Sequence, residues 1–242
     1  MKVFTLSDLH LSLAPGELEA AACYKPMDIF GPAWTNHHQR IEANWRALVS
    51  PEDAVLVPGD ISWAMHLADA AADFAFLGSL PGTIVLSKGN HDYWWQSISR
   101  LREALPPNCR ALQHDAIAIG GRAVCATRGW LLPEHSEFKE KDDRKIFDRE
   151  VLRLEMALQD AARLDLPPVV MLHYPPLIKE GQRNALIDLM QRYGVELCIC
   201  GHLHGAALKN AVEGEHFGIN IVNASCDHIG FTPQLLWEYK QE

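Results

Sequence analysis

Short apolar runs, several of them closed by polar side chains, recur along the chain and predict its strands. Their β-branched and aromatic content and their short length are typical of half-buried or buried β-strands. The apolar run at positions 53–57 predicts a buried strand, as in strands covered on both faces. The predicted strands are 1–7, 53–57, 83–86, 116–119, 122–127, 169–172, 195–200, 217–222 and 234–239.

Apolar residues at helical spacing lie between most of these runs. The predicted helices are 40–49, 65–80, 94–104, a long surface helix within 134–165, and 182–193. Strand, helix and strand in alternation indicate βαβ units, whose ligands bind beyond the carboxyl ends of the strands. Gly120-Gly121 instead predicts a hairpin. The pattern therefore predicts an α/β (α+β) protein with a mixed sheet or a second sheet.

The segment 11–39 departs from both periodicities. Proline and glycine interrupt it, yet Tyr24, Phe30 and Trp34 argue against disorder. Long irregular segments inside a compact domain are usually functional. Two interpretations stay open: a lid or specificity loop near a site, or a loop that packs on the core for structural reasons.

Composition narrows the class of protein. A chain of 242 residues with 48% hydrophobic and 22% charged residues can bury one sizeable core, so we predict a single domain over 1–242. A net charge of -9 disfavours nucleic acid as a partner. No run is long enough to span a membrane and no signal peptide is visible, so we expect no membrane partner and a cytoplasmic location.

Polar clusters with metal-ligand chemistry follow five of the predicted strands. Any one histidine or aspartate in these positions could be a surface or packing residue. Taken together they lie where the carboxyl ends of strands meet at one edge of a sheet. In an extended chain, residues two apart also face the same side. The clusters contain Asp8, His10, Asp60, Asn90, His91, Asp92, His173, His202 and His204.

This supply of imidazoles and carboxylates suits manganese, iron or zinc. It exceeds what one tetrahedral zinc ion needs. Two divalent metal ions that share a bridging carboxylate would use it fully, and such a pair suits in-line phosphoryl displacement. Cys198 and Cys200 are a less typical pair, either a metal site or two buried thiols.

The order of these motifs resembles the calcineurin-like metallophosphoesterase superfamily. The resemblance extends from Asp8 to His204, and it implies a sandwich of two mixed β-sheets flanked by helices. The motifs are Asp8-x-His10, Gly59-Asp60, Gly89-Asn90-His91-Asp92, a lone His173 after an apolar run, and Gly201-His202-x-His204.

The resemblance also implies a role for each residue. A hydroxide that bridges two metals would attack phosphorus, while His91 would stabilise the transition state or protonate the leaving oxygen. Asp92 would orient His91 or a neighbouring loop. The implied metal ligands are Asp8, His10 and His204 for one ion, Asn90, His173 and His202 for the other, and Asp60 between them.

Departures from the superfamily pattern narrow the substrate class. Phosphoprotein phosphatases continue Gly-Asp with a second Asp and a phosphate-binding Arg, which the run 61–65 lacks. Lipid A pyrophosphatases carry an Arg where His91 stands. The chain resembles uncharacterised bacterial phosphoesterases that have a tryptophan after Gly-Asp, here Trp63, and paired tryptophans, here Trp94-Trp95.

We therefore expect a phosphoesterase whose substrate is a small phosphate ester, and a diester such as a cyclic nucleotide in particular. A nuclease with the same two-metal chemistry is the alternative, and a non-catalytic scaffold is a further one. Trp94 and Trp95 could flank a substrate or pack in the core. Arg128 and Trp130, which follow a predicted strand, could reach a phosphate.

Overall fold

The computed structural model describes residues 1–13 and 27–240, and eleven strands in this part of the chain form two mixed sheets. The first sheet has the order β11-β1-β2-β3-β4 and the second β5-β6-β7-β8-β10-β9. The strands are β1 Lys2–Thr5, β2 Ala54–Val57, β3 Thr83–Leu86, β4 Cys109–Ala111, β5 Ala116–Ile119, β6 Arg122–Thr127, β7 Pro168–Leu172, β8 Leu197–Cys200, β9 Gly214–His216, β10 Ile219–Asn223 and β11 Gln234–Glu238.

Helices cover the outer faces of both sheets. In the described residues, none has the length and apolar character required to cross a bilayer. Short 3₁₀ helices lie at Met27–Phe30, Pro32–Trp34, Leu67–Ala70 and Gly205–Asn210. The α-helices are α1 His37–Leu48, α2 Ala71–Ser79, α3 Ile98–Ala104, α4 Glu140–Ala162 and α5 Ala185–Arg192.

The central strands of each sheet are parallel, and antiparallel strands occupy three of the four edges, the fourth being the parallel strand β4. β1 to β4 pair in parallel, as do β6, β7, β8 and β10. β11, β5 and β9 are the antiparallel edge strands. Each sheet therefore presents the carboxyl ends of its parallel strands on one side, where loops can combine their side chains.

The apolar core has three layers because each sheet is covered on both faces. Val3, Leu56, Val124 and Met171 belong to the layer between the sheets. The outer layers pack α1, α2 and α3 on the first sheet and α4 and α5 on the second. Complete burial on both faces explains why every residue of β2 and β8 is buried, Cys198 and Cys200 included.

Several predicted boundaries are wrong. The predicted helix at 94–104 begins only at Ile98, because Trp94 and Trp95 are core residues, each 1% exposed, in the irregular chain before it. Their indole N–H groups donate to the Ser62 carbonyl at 3.2 Å and to Gln113 Oε1 at 2.7 Å. The predicted helix at 65–80 divides into a 3₁₀ turn and α2, and α1 begins at His37. The apolar pattern did not predict two strands of three residues each, β4 and β9.

Candidate metal centre

The loops after β1, β2, β3, β7 and β8 meet at one place, and they bring all the predicted metal ligands together. Backbone hydrogen bonds connect these loops directly. The Asp8 N–H donates to the Gly59 carbonyl at 3.0 Å, and the Gly201 N–H donates to the His173 carbonyl at 3.1 Å. Backbone hydrogen bonds alone therefore hold these loops together, without any contribution from the ligand side chains.

Asp8, His10 and His204 form one ligand group. His204 Nε2 lies 3.1 Å from Asp8 Oδ1 and 3.4 Å from His10 Nε2. Asp8 and His10 are buried, whereas His204 is partly exposed. The three atoms converge as ligands of one cation do.

Asn90, His173 and His202 form a second group beside the first. The Asn90 Oδ1 atom is 2.7 Å from His173 Nε2 and 2.8 Å from His202 Nδ1. The two ring nitrogens are 3.3 Å apart. An amide oxygen and two imidazole nitrogens around one point are ligands that a borderline divalent metal accepts.

Asp60 lies between the two groups. Its Oδ2 atom is 3.7 Å from His10 Nε2 and 3.4 Å from His173 Nε2, so one oxygen faces both. Its Oδ1 atom accepts the His91 N–H at 2.8 Å, which fixes the carboxylate orientation. Asp8, Asp60 and His173 also qualify together as a candidate ligand group. The two groups are therefore one continuous cluster.

The residues present fit a pair of divalent cations. Asp8 and Asp60 are 0% and 1% exposed, and buried carboxylates need positive countercharge. The ring nitrogens of His10 and His204, and those of His173 and His202, face each other at close range. Nitrogen and oxygen atoms arranged in this way suit manganese, iron or zinc.

The pKa shifts divide the predicted ligands into neutral imidazoles and groups that are charged near neutral pH. Burial lowers the pKa of His10 and of His202 to about 3, so both rings are neutral and able to coordinate. Burial raises the pKa of Asp8, but His204 outweighs it and lowers that pKa to about 2. His204 itself has a pKa raised to about 10, because Asp8 and Asp227 outweigh its burial. Burial lowers the pKa of His173, but Asp60 and Asp8 outweigh it and raise that pKa to about 8. Without a metal, protons on His204 and His173 supply positive charge.

Several ligands have a left-handed backbone. The φ angles are 61° for Asp8, 44° for His10, 52° for Asp60 and 74° for His202. Such a conformation costs a residue with a Cβ roughly 1–2 kcal/mol, and strain of this kind clusters at functional sites. Asp8 and His10 therefore reach the same site through a tight turn, and the expectation that they share one face of an extended chain is wrong.

The glycines of the motifs allow the loops to approach each other. A Cβ on Gly89 would lie 2.1 Å from Asp60 Oδ1, and one on Gly201 would lie 2.3 Å from Asp8 Oδ2. A Cβ on Gly59 would lie 2.7 Å from His173 Nδ1. Each glycine thus leaves room for a ligand side chain that comes from another loop.

His91 lies on the more open side of the cluster. Its ring centroid is 4.5 Å from the Trp63 ring and 5.6 Å from the His10 ring. The Trp63 ring also stacks on His10 at 4.8 Å. Trp63 thus lies between a predicted ligand and the predicted catalytic histidine, and it packs against both.

Asp92 holds the loop that carries Asp60. Its carboxylate is 0% exposed and accepts the N–H groups of Asp60 at 2.9 Å, Ile61 at 2.9 Å, Ser62 at 3.2 Å and Gly89 at 2.8 Å. Burial and the nearby Asp60 raise the pKa of Asp92 to about 7, and the backbone N–H groups oppose this rise. These contacts make Asp92 a positioning residue for the neighbouring loop.

Sequence reasoning missed two residues at the site. Asp227 accepts from His204 Nδ1 at 3.0 Å and from the Gly205 N–H at 2.8 Å, an arrangement that orients a metal-binding imidazole. The feature that could have indicated Asp227 is its position after β10, at the same edge of the sheet as the other site residues. Trp34 is 3% exposed, with its ring 5.4 Å from that of His204.

The position of Trp34 shows where part of the segment 11–39 lies. Residues 27–39 pack beside the ligand cluster, in that Trp34 contacts His10 as well as His204. Trp34 also contacts the rings of His37 and Phe231. Positions 14–26 of the predicted lid lie outside the described residues, so the lid itself stays a prediction.

Comparison with known proteins agrees with this geometry. The sequence model described as calcineurin-like phosphoesterase matches residues 1–206. One similar structure is a protein of unknown function from Aquifex aeolicus, with 17% identity, a TM-score of 0.52, and coverage of 97% of this chain and 95% of the other. Another is the phosphopantetheinyl hydrolase from Mycobacterium tuberculosis, with 15% identity, a TM-score of 0.54 and coverage of 97% and 95%. No curated protein sequence matches.

Proposed function

Because the chain belongs to the calcineurin-like phosphoesterase family, we propose that it is a metal-dependent hydrolase of a small phosphate ester. The observation that supports this most is the position of Asp60, whose Oδ2 atom faces both ligand groups. Asp8, His10 and His204 would hold one divalent cation and Asn90, His173 and His202 the other, with Asp60 between them. Such a pair would activate a water molecule as the nucleophile and neutralise charge on the phosphoryl oxygens.

His91 is the proton donor in this proposal. Its ring is partly exposed beside the cluster, with its centroid 5.6 Å from that of His10. The backbone N–H of His91 donates to Asp60 Oδ1 and fixes the main chain, and the ring packs on Trp63. A positioned imidazole that protonates the leaving oxygen typically accelerates a reaction by about 10²–10⁴-fold.

The substrate we propose is a diester. The residues directly after Asp60 run from Ile61 to Met65 and carry no positive charge. A monoester has one more negative charge than a diester and gains more from an arginine at that place. A diester, with its single charge, needs less compensation beyond the cations themselves.

A screen with metal analysis tests the proposal. Protein loaded separately with manganese, iron or zinc is assayed with bis-p-nitrophenyl phosphate and p-nitrophenyl phosphate, and bound metal is measured on the same samples. We expect two ions per chain and faster hydrolysis of the diester. An Asp60→Ala variant, prepared identically, should lose both metal and activity.

Other outcomes separate the alternatives. Protein that carries no metal and hydrolyses neither ester would indicate a non-catalytic scaffold. Digestion of single-stranded DNA with manganese present would indicate a nuclease. Faster hydrolysis of the monoester would contradict only the diester preference, since the metal chemistry would stand.

A further inference from the structure

A groove opens directly beside the metal ligand His202. It has a volume of about 480 Å³ and lies between the loops that follow β6, β7 and β8. We propose that this groove binds the organic part of the phosphate ester and selects an aromatic group there. This proposal rests on the proposed function.

The groove and the ligand cluster are continuous. The Tyr174 ring, which lines the groove, lies 4.1 Å from the ring of His202. Leu203, the residue between the two histidines of the last motif, also lines it. A phosphoryl group held at the cluster therefore places one of its ester substituents at the groove entrance.

The lining favours an uncharged ring. Trp130, Leu177, Ile178 and Leu203 form its apolar part. Among the described residues that line the groove there is no lysine or arginine, whereas Glu137 is negative. A second phosphate would meet no positive side chain there. Polar side chains, among them His135, Ser136 and Asn210, line the rest of the groove. An apolar and aromatic wall beside polar groups that can fix orientation is typical of sites for small organic ligands.

Trp130 is held in place before any ligand arrives. Its indole N–H donates to Asp143 Oδ1 at 2.9 Å. The Arg128 guanidinium lies 4.5 Å from its ring, and the Tyr174 ring lies 5.3 Å from it. Arg128 thus packs on Trp130, and its own ion-pair partner is Glu150 at 4.0 Å. A fixed ring loses little conformational entropy on binding, which increases affinity.

Two non-hydrolysable phosphonates test the groove. Calorimetry on metal-loaded protein measures the Kd of 2-naphthylphosphonate and of methylphosphonate, which share the phosphonate group and differ in the substituent. We expect the wild type to bind the naphthyl compound at least tenfold more tightly. Trp130→Ala and Ile178→Asn should each remove most of this ratio, with little change for methylphosphonate.

Matched variants separate the groove from general effects. Trp130→Phe loses the bond to Asp143 but keeps an aromatic ring at the groove, so it should retain most of the preference. Leu152→Ala changes a residue that is 61% exposed on α4, away from the groove, and should behave as the wild type. A wild-type ratio near one, or an unchanged ratio in Trp130→Ala and Ile178→Asn, would overturn the groove proposal alone. Binding of neither phosphonate would also overturn the groove proposal, and it would overturn the proposed function only where the protein hydrolyses neither ester in the screen.

Discussion

Gly89 has no Cβ, and the space this leaves is occupied by the Asp60 carboxylate. Because an added Cβ would lie 2.1 Å from Asp60 Oδ1, Gly89→Ala must displace the carboxylate between the two ligand groups. We predict that Gly89→Ala folds but binds fewer than two ions per chain. Metal analysis after dialysis, with circular dichroism to check the fold, measures both.

Gly181→Ala is the matched control for this change. A Cβ at Gly181 would meet nothing within 4 Å, although its φ of +71° makes alanine strained. We expect a loss of roughly 1–2 kcal/mol in unfolding free energy with full metal content. Equal metal content in the two alanine variants would refute the steric argument.

The metal contents of the His91→Ala and Asp60→Ala variants should differ. His91 is not among the converging ligand atoms, so His91→Ala should keep two ions while kcat falls by about 10²–10⁴-fold. Asp60→Ala removes the oxygen that faces both groups and should lose metal. Plasma emission spectroscopy on both variants decides, and similar metal loss in the two would contradict the division of roles.

The ligand side chains could be predicted from the sequence because each belongs to a short motif after an apolar run. Asp227 and Trp34 could not, since their place at the site depends on contacts across the fold. Asp227 reaches His204 from a separate loop, and Trp34 comes from a segment without periodicity. The left-handed turns at Asp8 and His10 are equally hidden, because aspartate and histidine do not require them.

At the scale of elements, prediction succeeded where an apolar run was bounded by clear turn residues and failed where tertiary contacts decided the conformation. β3 and the hairpin of β5 and β6 were predicted at their observed bounds. Trp94 and Trp95 fit a helical pattern, but their burial between elements keeps them outside α3. Strands as short as β4 and β9 contain too few residues to show alternation.

Asp73 of α2 links two loops near the site and should make stability depend on pH. It is 1% exposed and accepts from the Leu13 N–H at 2.8 Å and from Ser62 Oγ at 2.5 Å. Burial raises its pKa to about 6. The folded protein therefore holds this proton more tightly than the unfolded chain, and folding loses stability as pH rises from about 4 to 6.

Comparison with Asp73→Asn isolates this effect, because asparagine does not titrate. Relative to that variant, the metal-free wild type should lose about 2–3 kcal/mol of unfolding free energy between pH 4 and pH 6.5. Urea denaturation at several pH values gives the difference. A constant difference across this range would show that Asp73 does not titrate there.

At the scale of the whole molecule, each ligand group joins the two sheets. Asp8 and His10 follow β1 in the first sheet, whereas His204 follows β8 in the second. Likewise Asn90 follows β3, and His173 and His202 follow strands of the second sheet. A bound cation therefore adds a link between two layers that already share apolar contacts and backbone hydrogen bonds, such as the one from the Ser7 N–H to the Ala224 carbonyl at 2.7 Å.

We predict that metal raises the melting temperature. A cation at 100 times its Kd adds about 2.7 kcal/mol when it binds only the folded state. Differential scanning calorimetry with increasing manganese measures the shift, and a chelator should reverse it. Asp60→Ala should show little shift, whereas His216→Ala, on the edge strand β9, should match the wild type. A wild-type melting temperature that does not change with manganese would contradict the prediction.

The left-handed backbone at Asp8, His10, Asp60 and His202 limits how this centre can be redesigned. A mutagenesis library for a new metal has few residue types to sample at these positions, because β-branched side chains are strongly disfavoured where φ is positive. Asparagine, aspartate and histidine tolerate that region best. Directed evolution of metal preference should therefore find its productive changes at Asn90, His173 and His204, and at Asp227 behind them.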